Sequence, residues 1–186
     1  MCSRYILNSS PQTLNDRFSL RSETSVNNKI EIRPTDLSTV ILYSGASLLH
    51  WGLMTEWNPR PIINARAETL EHKQTFKPIL SNRCIIPANS YFEWQKSKNG
   101  KKTKYIINQY DNDLMAFAGL MDFKHKQFVI ITCPPIDTIS HIHHRMPVIL
   151  DPDREKHWVR PMTEIPHALS LLKPYSYSEL RATAIR

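Results

Sequence analysis

Between residues 84 and 133 the chain is a succession of short apolar runs: CIIPANSYFEWQ, KYIINQY, LMAFAGLMDF and QFVIITC, separated by polar stretches such as SKNGKK. Each run is strand-length, and each is rich in the β-branched and aromatic side chains that fit a pleated, half-buried surface. Antiparallel neighbours need only short turns between them, so the last three runs predict an antiparallel meander, preceded by CIIPANSYFEWQ as one strand. RMPVIL reads as a last strand, and CSRYIL as a short first one. VILYSGASLLHWGLM predicts two strands around a Ser44-Gly45 turn. Helices are expected at the margins. Ser10 is a suitable cap and Pro11 a suitable first residue for a helix over SPQTLNDRFSL. AETLEHKQTFKPIL predicts a helix ending near Pro78, since a proline disfavours helix just before it. DPDREKHWV and TEIPHALSLLK predict two short helices. Residues 22–36 read as a polar loop and WNPRPIINAR as irregular. The expectation is α+β: a single domain over residues 1–186, with a curved antiparallel sheet or barrel-like core and peripheral helices.

Few glycines (4) and many prolines (13) predict stiff, well-defined loops rather than swinging lids. No apolar stretch reaches the roughly 18 residues of a membrane span, and the start lacks the apolar run of a secretory signal, so export is not expected. Cys2, Cys84 and Cys133 are an odd, widely spaced set, suited to a reducing compartment rather than a disulfide framework. The net charge of +7 suits a polyanionic partner such as nucleic acid.

Four segments carry candidate chemistry. In MCSRY, Cys2 is small enough for Met1 to be trimmed, which leaves an α-amine and a thiol on one residue; otherwise it is a small hydrophobe at a chain end. In HIHHRMP, His141 and His143 would share one face of a strand. A zinc site needs a third ligand and supporting partners, so a single catalytic histidine and a cluster without function stand beside it. Glu93, between Phe92 and Trp94, either points outward from an alternating strand or is a buried carboxyl with a raised pKa. Asn64 and Arg66 in NAR pair an amide with a phosphate-binding guanidinium, or are a helix cap and a surface charge. Trp51 and Trp57 flank a proline-rich turn, where an exposed tryptophan could stack on a base.

MCSRY, HWGL, INARAETL, FKPIL, RCIIPANSYFEW and HHRMPVIL, in this order, resemble the SRAP family, the SOS-response-associated peptidases. The matching blocks run from residue 1 to about 150. Two departures stand out: Ser3 replaces the family's glycine, and Lys73-Gln74 stands where many relatives carry an arginine. The resemblance implies a single-strand DNA groove and covalent capture of abasic sites through an N-terminal cysteine, within the DNA damage response. It implies catalytic roles for Cys2, Asn64, Glu93 and His143. It also implies DNA contacts from Arg4, Arg66, Lys77 and Arg145 to phosphates, and from Pro34 and Trp57 to bases. The expected partner is single-stranded DNA containing abasic sites, bound by a monomer with no metal or organic cofactor. The expected place is the bacterial nucleoid or a eukaryotic nucleus. A thiol-dependent peptidase that acts on its own Met1, and a non-catalytic reader of single-stranded or modified DNA, are the competing readings.

Overall fold

The computed structural model describes residues 2–20, 29–97, 99–110, 114–176 and 180–185. A short strand β1 (Tyr5–Ile6) leads into α1 (Pro11–Phe18), where the Ser10 hydroxyl accepts the Thr13 amide at 3.1 Å. Pro11 fills the first turn, where no N–H is needed. The loop expected over 22–36 falls partly outside the described residues, and its described part contains a strand, β2 (Glu31–Ile32), paired with β1. β3 (Leu37–Leu42) and β4 (Gly45–Trp51) form the expected hairpin.

WNPRPIINAR is more regular than its prolines suggest. After β5 (Leu53–Thr55) come β6 (Asn58–Ile62) and β7 (Asn64–Arg66). Pro59 and Pro61 are tolerated because β6 pairs only with β5, leaving its other edge free of ladder bonds. Gly52, at φ +121°, makes the entry possible: a Cβ there would lie 2.7 Å from Pro61 Cβ.

AETLEHKQTFKPIL, in contrast, forms two isolated 3-10 turns, Ala67–Thr69 and Lys77–Ile79, instead of a helix. Its buried residues are Leu70, Phe76, Ile79 and Leu80. Phe76, Ile79 and Leu80 have the i, i+3, i+4 spacing of one helical face, but Pro78 lies among them and lacks the N–H a helix interior needs, so the segment folds as separate turns.

CIIPANSYFEWQ is two strands, β8 (Arg83–Ala88) and β9 (Ser90–Lys96), belonging to different sheets. Asn89 makes the break: its backbone N–H donates to the Ile6 carbonyl at 2.8 Å and its side-chain oxygen accepts the Asn8 amide at 2.6 Å. Next come β10 (Lys102–Gln109), β11 (Met115–Asp122) and β12 (Gln127–Cys133). They are not one meander, because β10 pairs with β9 while β11 pairs with β12. After α2 (Asp137–Ser140), RMPVIL divides into β13 (Met146–Pro147) and β14 (Ile149–Leu150) on separate partners. α3 (Pro152–Val159) and α4 (Ile165–Ser170) match the two helices expected near the end. A further strand, β15 (Leu180–Ile185), follows and pairs with β10.

The strands form a five-stranded antiparallel sheet, β15-β10-β9-β1-β2, and a second sheet in which β12-β4-β3-β8-β11 closes back on β12. The closure is barrel-like, and β4 and β12 seal it in parallel, with Phe128 opposite Trp51. β7 adds to β12, also in parallel, setting Asn64 opposite Ile130 and Arg66 opposite Thr132. Mixed helices and strands on this plan make the fold α+β. Aromatic rings fill the space between the sheets: Tyr5 lies edge-on to Trp51 and Phe117, and Tyr91 edge-on to Phe117. Among the described residues, no helix is long and apolar enough to cross a membrane.

Candidate active site

Cys2 precedes β1 and is fully buried. β1 lies beside β9, where the Phe92 amide donates to the Arg4 carbonyl at 3.0 Å, and this extension carries Cys2 toward β7 of the other sheet. There the Asn64 side-chain amide donates to the Cys2 carbonyl at 2.8 Å. The site therefore lies on the seam between the two sheets. Burial pushes the Cys2 thiol far above its ordinary pKa, and the Glu93 charge adds to the rise. The resting sulfur is a neutral thiol whose S–H donates to the Arg4 carbonyl at 3.6 Å. The other oxygen-bearing end of Asn64 is buried, with no hydrogen-bond partner among the described residues.

Glu93 comes from β9 and points inward, with its side chain 3% exposed. The outward reading of this carboxylate is thus corrected: Tyr91 and Glu93 share the inner side of β9, and Phe92 faces the other way under the Lys104 ammonium. Burial raises the Glu93 pKa, so its carboxyl holds a proton closer to neutrality than an exposed one does.

His143 lies 4.0 Å from Glu93, Nδ1 to Oε1. It stands in the turn after α2, not on a strand, and His141 is exposed away from it, edge-on to Tyr105. The expected shared strand face of the two histidines does not exist. Nδ1 lies 3.0 Å from the Arg145 amide and 3.3 Å from the Arg145 carbonyl, so the Arg145 backbone holds the ring in place. Burial lowers the His143 pKa to about 4, with the charge of the chain's α-amine and then that of stacked His144 adding to the drop. At neutral pH the ring is uncharged and can accept a proton, while Glu93 is the nearby group inclined to hold one. Among the described residues, no group of three His, Cys, Asp or Glu side chains is arranged to hold a metal ion.

The six candidate DNA residues differ in availability. Arg66 and Lys77 are exposed. Trp57 is 69% exposed at the tip of the β5–β6 hairpin, whereas Trp51 is core, its indole N–H bound to the Ile63 carbonyl. Pro34 is half-buried in the turn after β2. Arg4 stacks over Trp94 and lies 3.5 Å from Glu31, so it is half-screened at the rim. Arg145 is buried and already engaged. Its guanidinium grips both Glu68 oxygens at 2.7 and 2.9 Å and donates to the Thr132 carbonyl at 2.6 Å. A phosphate would have to displace Glu68, whose own pKa this pairing lowers. Glu68 and Trp94 were not singled out from the sequence. Glu68 follows Arg66 in the ARAET segment and Trp94 follows Glu93, so adjacency to candidate residues was the available signal.

The chain resembles known proteins over most of its length. The family model described as SOS response associated peptidase (SRAP) matches residues 1–186. The chain is 34% identical to the abasic site processing protein YoqW of Bacillus subtilis, over 98% of this chain and 91% of that protein. It is 33% identical to the abasic site processing protein YedK of Escherichia coli, over 59% of this chain and 53% of that protein. A crystal structure of a Bacteroides thetaiotaomicron protein superposes with a TM-score of 0.85 at 26% identity, covering 100% of this chain and 92% of the other. The buried cysteine at position 2, held by an asparagine at the seam of two sheets, is that of a protein that belongs to the SRAP family.

Proposed function

We propose that the protein processes abasic sites in single-stranded DNA by forming a covalent thiazolidine through Cys2 after Met1 is removed, shielding the lesion in the DNA damage response. The observation that carries this reading is the convergence on Cys2: the Asn64 amide holds its carbonyl, the Glu93 charge acts on its thiol, and His143 lies 4.0 Å from Glu93. The relatives named as abasic site processing proteins give the substrate class.

A ring-opened abasic site is an aldehyde. The α-amine of a terminal Cys2 attacks it, water leaves, and an imine forms. The thiol then adds across the C=N bond: sulfur bonds to carbon, the π pair moves to nitrogen, and the thiol proton ends on that nitrogen. Only a first-residue cysteine can do this, because an internal one has an amide nitrogen. Glu93 exchanges protons with the amine and imine. His143 passes a proton to or from the sugar ring oxygen through its neutral ring. Asn64 fixes the Cys2 backbone in an attack geometry. Arg4, Arg66 and Lys77 hold flanking phosphates, with Trp57 and Pro34 against bases.

If the sulfur fails to close, the same imine permits strand cleavage by elimination. The thiol, with Glu93 and His143 to move protons, also gives a route for removing Met1. No step in this chemistry calls for a metal or organic cofactor.

The test is an oligonucleotide with one abasic site, incubated with the protein and boiled before electrophoresis. The wild type is expected to give a shifted band and Cys2→Ala none, with intact mass reporting loss of Met1 and the adduct together. Equal bands from both proteins, or none from the wild type, sink the reading.

A further inference from the structure

Gln95 follows Glu93 by two residues on β9, so the two side chains leave the strand on the same side. The Gln95 side chain joins two other elements to that strand. Its Nε2 group donates to the His141 carbonyl at 3.0 Å, and its Oε1 accepts the Tyr105 hydroxyl at 3.3 Å. One orientation of the amide serves both contacts, because a backbone carbonyl only accepts and the NH2 end must face it. Tyr105 comes from β10, opposite Glu93 in the ladder, and its ring also stands edge-on to His141 with centroids 6.4 Å apart.

The bridge mirrors the pair beside Cys2. Gln95 lies two residues after Glu93, and His141 lies two residues before His143. The Glu93 and His143 side chains approach to 4.0 Å, Nδ1 to Oε1, which is too long for a hydrogen bond between those atoms. That contact does not by itself fix their spacing. His143 stands in the turn after α2, a helix of only four residues. Within this segment the Ile142 N–H donates to the Ile139 carbonyl at 3.0 Å, and the Arg145 backbone holds the His143 ring. These bonds shape the turn locally but do not tie it to β9. The Gln95 amide does.

We propose that Gln95 is a positioning residue that sets the spacing of Glu93 and His143 by donating to the His141 carbonyl, with Tyr105 holding its amide in that orientation. This rests on the abasic-site reading above, in which Glu93 and His143 move protons, and adds the group that keeps one in register with the other. A proton relay is sensitive to such spacing, because small misplacements lengthen every transfer.

The experiment measures formation of the boil-stable adduct with an abasic oligonucleotide over a range of DNA concentrations, for wild type, Gln95→Met and Gln95→Lys. Methionine keeps the length of the side chain and loses the donor; lysine keeps a donor of similar reach. Gln95→Met is expected to lower the rate at saturating DNA about tenfold, the worth of one hydrogen bond. The half-saturating DNA concentration and the melting temperature are expected to stay at the wild-type values. Gln95→Lys is expected to recover the saturating rate to within about threefold of wild type. A saturating rate for Gln95→Met equal to wild type overturns the proposal. So does a Gln95→Lys rate as low as that of Gln95→Met, since the donor would then not matter. A Gln95→Met loss carried by a higher half-saturating concentration or a lowered melting temperature also overturns it, because Gln95 would then act in DNA binding or in the fold. If all three proteins fail to form adduct, the abasic-site reading itself falls and takes this proposal with it.

Discussion

His143 is a residue whose surroundings change what its side chain can do near neutral pH. Unfolded, its imidazole titrates at about 6.5; in the fold, burial, then the α-amine and His144 charges, lower that to about 4. Between those values the unfolded chain binds a proton that the folded chain does not, so stability rises with pH across that window and is lost on acidification. Glu93 works in the opposite sense: its raised pKa makes the folded chain hold a proton longer, and stability falls as pH rises past the usual carboxylate range. His143→Gln removes only the first contribution. Urea unfolding at about pH 7 and about pH 4.5 is expected to show the wild type losing on the order of 1–3 kcal/mol more than the variant over that interval. Parallel losses in the two proteins would mean the ring is not the group that titrates. Asn64→Ala is expected to act on rate instead. It deletes one neutral hydrogen bond, about 1 kcal/mol of stability, but frees the Cys2 backbone and lowers adduct formation by at least tenfold, read from the time course of the boil-stable band. Residue types were legible here, since Cys2, Asn64, Glu93 and His143 stand in distinctive short segments. The occupation of Arg145 by Glu68 was not, because that pair spans a large sequence separation and depends on β7 lying beside β12.

At the scale of elements, local rules worked wherever a local signal was complete. Ser10-Pro11 and the Ser44-Gly45 turn each placed their helix or hairpin. They failed where tertiary pairing decided: a residue inside one apolar run, Asn89, sends its two halves to different sheets, and β7 is a strand only because β12 receives it. The closed ring depends on a feature no local rule shows. Gly119 of β11 sits between β8 and β12, where an added Cβ would meet Val129 O at 2.9 Å and Ile86 Cδ1 at 2.2 Å. The isoleucine tip can rotate, but the carbonyl is part of the β-ladder and cannot move alone. Gly119→Ala is therefore expected to cost about 1–3 kcal/mol, typical of overpacking, and to lower the melting temperature by roughly 3–10 °C. Calorimetry checks this directly. An unchanged transition would mean that the ring relaxes at that joint.

For the molecule as a whole, the +7 charge matters only where its cations are free to meet phosphates. On single-stranded DNA each phosphate contact steepens the dependence of log K on log salt by about 0.7. Arg66 and Lys77 are exposed, so Arg66→Met and Lys77→Met are each expected to flatten the slope by about that amount and to weaken binding most at low salt. Trp57→Ala should weaken binding by about 1–3 kcal/mol through lost stacking while leaving the slope alone. Arg145 separates two pictures of the groove. With its guanidinium held by Glu68 and Thr132, it is expected to organise the segment bearing His143 without a phosphate contact, so Arg145→Met should leave the slope unchanged while lowering stability. Fluorescence anisotropy on a short labelled strand lacking an abasic site, titrated at several salt concentrations, isolates binding from the covalent step. A slope flattened by Arg145→Met as much as by Arg66→Met would show that a phosphate displaces Glu68 on binding and takes over the fork.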